Sequence, residues 1–128
     1  MRKIDMAKQW LKKAKDDLIA ASHMIRDIYP KQIEISCYHS QQAVEKALKA
    51  HLVFHDVEPP YTHDLGTLCE LCSEYSKDFS DFYDDCDDLT IYATRTRYPD
   101  SIEIEEQEAK EAFEKASEIY RFVSEHIQ

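Results

Sequence analysis

The 128-residue chain has a single glycine, Gly66, and four prolines, Pro30, Pro59, Pro60 and Pro99. Glycine and proline are the usual punctuation of a chain, so their scarcity favours long helices and few turns. A Gly-rich phosphate-cradling loop is excluded outright in a chain with one glycine. No apolar run approaches the roughly 18 residues of a membrane span. The opening Met1-Arg2-Lys3-Ile4-Asp5 runs into a charged amphipathic segment without a signal-peptide core, which predicts a cytoplasmic protein. Strand-like alternation, internal repeats and low-complexity linkers are also missing. The four cysteines, Cys37, Cys69, Cys72 and Cys86, are expected to be free thiols on apolar faces.

What is present is apolar periodicity. Ile4, Ala7, Leu11, Ala14, Leu18, Ala21, Ile25 and Ile28 alternate spacings of three and four, which keeps one stripe on one side of a helix over residues 3–28. Tyr29-Pro30 ends it. A second helix is predicted over 32–56, with Cys37, Val44, Leu48 and Leu52 in one stripe and Ala43, Ala47, Ala50 and Phe54 beside it. So wide an apolar arc places that helix centrally or at an oligomer interface. Its polar wedge carries His39, Gln42, Lys46 and Lys49. Pro59-Pro60 forces a loop. A short helix follows around Leu65, Leu68, Cys69, Leu71, Cys72 and Tyr75. A fourth, with Phe79, Phe82, Tyr83, Cys86, Leu89, Ala93 and Arg97 on one side, is predicted over 79–97 and a fifth over 104–127. The expected fold is a single all-α domain over residues 1–128, an up-and-down antiparallel bundle of four to five helices.

Net charge is −10, which counts against non-specific binding to a nucleic-acid backbone. Residues 1–57 hold 10 Lys/Arg against 7 Asp/Glu, whereas the rest hold 6 against 19. The asymmetry fits solvated acidic faces on the later helices, or complementarity to a basic partner or second copy.

Two stretches carry the chemistry. In Ser40-Gln41-Gln42-Ala43-Val44-Glu45-Lys46-Ala47-Leu48-Lys49, Gln41 falls inside the apolar stripe, so its amide must find polar partners; an unsatisfied one costs about 1–3 kcal/mol. Glu45 and Lys49 follow at four-residue spacing and make a polar seam. In Arg95-Thr96-Arg97-Tyr98-Pro99-Asp100, the arginines suit bidentate recognition of carboxylate or phosphate. Gln41, Glu45, Lys49, His63, Arg95, Arg97 and Tyr98 are therefore the candidate ligand-binding set for a nucleotide or phosphate. The alternative is a closed polar lock between helices.

The ordered set of Trp10, Asp16-Asp17-Leu18, Gln41 to Lys49, the Pro-containing loop, His63-Asp64-Leu65 and Arg97-Tyr98-Pro99-Asp100 resembles the HEPN family (higher eukaryotes and prokaryotes nucleotide-binding domain) over about residues 7–125. The resemblance implies a helical bundle that often dimerises. It also implies pairing with a minimal nucleotidyltransferase in two-gene modules of toxin–antitoxin type. Some members are metal-independent ribonucleases that use an Arg followed four to six residues on by a His. Neither Arg95 nor Arg97 has such a His. The one formal match, Arg121 to His126, sits near the C-terminus, and five residues of helix turn the two side chains about 140° apart. No catalytic residue is assigned. No cofactor or metal is expected: Cys69-x-x-Cys72 lacks evident further ligands, Asp84-Asp85-Cys86-Asp87-Asp88 lacks the pattern of a calcium loop, and His51 and His55 read as packing residues. The leading expectation is a binding and interaction module. A divergent ribonuclease using His63, Arg95 and Arg97, and a purely structural adaptor, are the alternatives.

Overall fold

The computed structural model describes residues 2–95 and 103–127. Among them are five α-helices, two short 3-10 segments and no strand. Helix α1 spans Lys3–Arg26 and α2 spans Ile33–Phe54. Helix α3 spans Leu65–Ser73, a 3-10 segment covers Lys77–Phe82, and α4 spans Tyr83–Thr90. A second 3-10 turn, Ile91–Ala93, precedes α5 at Glu106–His126.

The α1 stripe is buried as its periodicity predicts, from Ala7 through Leu11, Ala14, Leu18 and Ala21 to Ile25. Its alanines let α2 approach closely, and Ser36 Oγ donates to Ala21 O at 2.8 Å across the contact. Pairing of Asp17 with Lys46 and of Lys3 with Asp56 shows that α1 and α2 run antiparallel. Lys15 lies against Tyr120 and Arg26 against Phe113, so α5 is also antiparallel to α1.

Helix α2 is the central element. It packs on α1, α5, α3 and α4, and Leu48, Leu52, Val44 and Cys37 are fully buried. Its wide apolar arc is thus covered within the chain itself. The arc no longer argues for a second copy, because the surface that would have docked one is occupied.

Of the expected helix over 79–97, the described part is broken into tighter and looser turns. Phe79, Cys86, Leu89, Tyr92 and Ala93 are buried, while Tyr83 is turned outward. A 3-10 turn advances three residues rather than 3.6, so the buried phase slips at each end of α4. Thr90 fixes the far break: its Oγ1 donates to Cys86 O and accepts from Leu65 N, each at 3.0 Å.

All four cysteines are free and buried. Burial pushes the Cys37 thiol up to about 12. Cys69 and Cys72 donate to the carbonyls of Phe79 and Leu48. Among the described residues, no group of three or more His, Cys, Asp or Glu side chains is placed to hold a metal ion. Nor is any described helix long and apolar enough to cross a membrane.

Where α2 and α5 end, His51 is buried against Phe79, with ring centroids 4.3 Å apart. Both its ring nitrogens lack hydrogen-bond partners. Burial, helped by the nearby His55 and His126, lowers its pKa to about 4 from 6.5. The folded state therefore resists a proton that the unfolded chain accepts. Stability contributed by the neutral ring is complete above about pH 6.5 and is lost as pH falls toward 4. A loss on the order of 3 kcal/mol is expected across that window. Urea denaturation at a series of pH values measures it, and His51→Phe should flatten the slope; an unchanged slope would contradict the assignment.

Candidate functional site

On α2, residues 41, 45 and 49 fall on adjoining positions of one edge, facing the loop that leads to α3. The Gln41 side chain is fully buried. Its Nε2 donates to His63 O at 3.1 Å and to Glu45 Oε1 at 3.3 Å, while its Oε1 accepts from Gln42 Nε2 at 2.8 Å. Glu45 is buried too. One of its oxygens lies 2.8 Å from His63 Nδ1 and the other accepts from Lys49 Nζ at 3.1 Å. The Lys49 ammonium lies 6.0 Å from the centroid of Trp10. Gln41, Glu45, Lys49 and His63 thus form one connected group.

The loop is held so that His63 can reach α2. Asp64 caps α3, accepting from the backbone N–H groups of Gly66 and Thr67. Thr62 Oγ1 accepts from Asp64 N at 3.1 Å. A Cβ on Gly66 would come within 3.3 Å of the capping Asp64 Oδ1 and 3.4 Å of the Tyr83 ring, which explains a glycine in the first turn. The His63 side chain stays 41% exposed, so its second ring nitrogen is available at the surface.

Arg95 occupies a different ion pair. Its guanidinium donates to Glu108 Oε2 at 3.3 Å, on the oxygen that also accepts from the Tyr92 hydroxyl. Burial and the Glu108 hydrogen bond push the Tyr92 hydroxyl pKa well above its ordinary value. This ion pair ties Arg95 to α5. Arg97 and Tyr98 lie outside the described residues.

One part of the site is not among the ligand-binding residues expected from the sequence. Asp17 of α1 is buried, and its carboxylate meets His39 Nδ1 at 2.9 Å and Lys46 Nζ at 2.6 Å. Burial raises the Asp17 pKa, but the hydrogen bonds and charges of His39 and Lys46 outweigh it and hold the carboxyl below the usual range. The arrangement repeats that of Glu45. Each buried carboxylate takes an imidazole Nδ1 on one oxygen and a lysine ammonium on the other. Gln42, three residues from His39 and four from Lys46, donates to Gln41, so the two groups lie on adjoining edges of α2 and make up its polar ribbon. A signal was available: Asp17 sits beside Leu18 on the α1 stripe, and His39 and Lys46 share the polar wedge of α2.

A carboxylate that grips Nδ1 fixes the ring and leaves Nε2 pointing away from it. Such an imidazole can donate to an anionic oxygen or accept from a hydroxyl. Among the described residues, nothing in the ribbon resembles an activated nucleophile. Arg121 and His126 serve different faces. Arg121 borders a groove between α1 and α5, whereas the His126 ring lies 4.3 Å from Phe122 and 5.9 Å from Phe79, its Nδ1 against Phe122 O.

The arrangement of helices and the α2 ribbon can be set beside known proteins. Residues 7–126 match the HEPN domain. The chain belongs to the HEPN domain family. Two crystal structures show the same helical arrangement. One is TT1696 from Thermus thermophilus, 28% identical, with a TM-score of 0.76, covering 93% of this chain and 96% of that one. The other is ST0689, an archaeal HEPN homologue, 26% identical, with a TM-score of 0.74 and complete coverage of both chains. No curated protein matches this HEPN chain.

Proposed function

We propose that this HEPN domain is a binding and interaction module of the cytoplasm. It forms a homodimer and acts as the helical partner of a minimal nucleotidyltransferase in a toxin–antitoxin-type pair. Its α2 ribbon contacts the phosphate of a nucleotide or RNA end. The observation that carries the reading is the pair of imidazoles, His39 and His63, each gripped through Nδ1 by a buried carboxylate and each partly exposed. Tyr61, 95% exposed and with its ring 6.0 Å from that of His63, offers a flat surface to a base. Gln41, Glu45 and Lys49 act here as the frame that orients His63. The proposed set extends to Arg97 and Tyr98, whose roles rest on the sequence alone. The formal Arg121 and His126 match does not favour a ribonuclease, since the two side chains serve different faces. The divergent alternative built on His63, Arg95 and Arg97 would show as RNA cleavage lost in Arg97→Ala.

Calorimetric titration with nucleotides and 5′-phosphorylated short RNA tests the ligand. His63→Gln is expected to weaken binding by about tenfold, the worth of one charge-assisted hydrogen bond, with thermal stability retained. Affinity indifferent to both His63→Gln and His39→Gln would refute the ribbon as a contact face. Light scattering tests the assembly: a monomer near 15.1 kDa at micromolar concentration would exclude the homodimer.

A further inference from the structure

The α2 donors end on buried carboxylates, but a second set of donors, between α1 and α5, does not. Here the antiparallel helices leave an open groove of about 370 Å³. Its walls include Phe113 and Tyr120, with Leu18 and Ile19 opposite. Arg121 borders it, flanked one turn either side by Ser117 and Ser124, with Ser22 contributed by α1. Among the described residues, Arg121 makes no ion pair or hydrogen bond, and the hydroxyls of Ser22, Ser117 and Ser124 have no hydrogen-bond partner. Lys15 contributes a second cation, 5.7 Å from the Tyr120 ring centroid.

A planar guanidinium with free donors matches phosphate geometry, and hydroxyls at the adjoining helical turns supply further donors to the same anion. The aromatic and aliphatic walls suit a flat ring. The volume falls at the lower end of small-molecule sites, roughly 300–1,000 Å³. Charge limits the ligand further. Lys15 and Arg121 are opposed by Glu125 at the rim, and the whole chain carries −10. That balance admits one phosphate and disfavours a strand of them.

We infer that the α1–α5 groove binds a compact phosphomonoester carrying a flat ring, its phosphate at Arg121, Ser117 and Ser124 and its ring against Phe113 and Tyr120. This site is independent of the α2 ribbon and of the reading built on it.

Titration followed by NMR, with AMP and phenyl phosphate as probes, tests it. Both are expected to bind saturably and to shift amide resonances of α1 and α5. Adenosine and inorganic phosphate, the halves of AMP, are expected to bind at least about tenfold more weakly. Arg121→Gln is expected to weaken AMP by about tenfold or more with an unchanged Tm, because the side chain is exposed and holds no partner. His63→Gln should leave AMP binding intact, which separates this site from the ribbon. The inference is overturned if neither probe saturates at millimolar concentration, or if Arg121→Gln binds as well as the parent. It is equally overturned if the shifts map to α2 and vanish in His63→Gln, or if single-stranded RNA binds the groove more tightly than AMP.

Discussion

Leu48→Ala is expected to lower the unfolding free energy by about 2–5 kcal/mol, measured by urea or guanidinium denaturation. Leu48 has no exposed surface and sits midway along the helix that every other α-helix of the bundle touches. Removing its branched end leaves a void bounded by several helices at once, and a void so enclosed closes only in part. Cys72 also donates its Sγ–H to Leu48 O at 3.4 Å, tying α3 to this turn of α2 and resisting relaxation further. Leu18→Ala belongs at the lower end of the same range, because α1 lies at the edge of the bundle and Leu18 retains 5% exposure. A loss below about 1 kcal/mol for Leu48→Ala would mean that the central position of α2 has been misjudged.

Helical spacing made α1, α2 and α5 legible, since each buries a stripe of regular period against a straight neighbour. Gln41 was legible for the complementary reason: an amide inside an apolar stripe is forced to find partners, and it finds Glu45 and His63 O. The segment around α4 was not legible. Alternation of 3-10 and α turns has no fixed period, so Tyr92 is buried where the helical phase would have chosen Tyr83. Arg95 pairs with Glu108 of α5, a choice among the carboxylates of the bundle that one-dimensional spacing cannot make. Asp17 belongs to the stretch that carries the resemblance, but its site role is not legible, because an acidic residue next to Asp16 reads as part of a solvated face. Only the approach of α2, bringing His39 and Lys46, turns it into a buried carboxylate.

The same logic gives the largest single-site effect expected of the polar residues. Glu45→Met should cost about 3–5 kcal/mol, because it strips a buried charge of its counterion rather than merely deleting a hydrogen bond. Glu45 and Lys49 side chains are 6% and 10% exposed, so water cannot replace the missing partner for either. Among the described residues, loss of the carboxylate leaves the Lys49 ammonium with only the Trp10 ring, and it also frees His63 Nδ1 and one of the two bonds of Gln41 Nε2. Lys49→Met is the milder change, since Glu45 keeps Gln41 and His63 as partners. The double variant Glu45→Met, Lys49→Met removes both charges together and should recover part of the loss. Its destabilisation is expected to fall below the sum of the single variants by more than about 1 kcal/mol, the coupling of residues in one network. Chemical denaturation of the four proteins closes this cycle. Simple additivity would show that the two side chains do not depend on each other, and the ribbon would then be a row of separate surface contacts rather than a frame that holds His63.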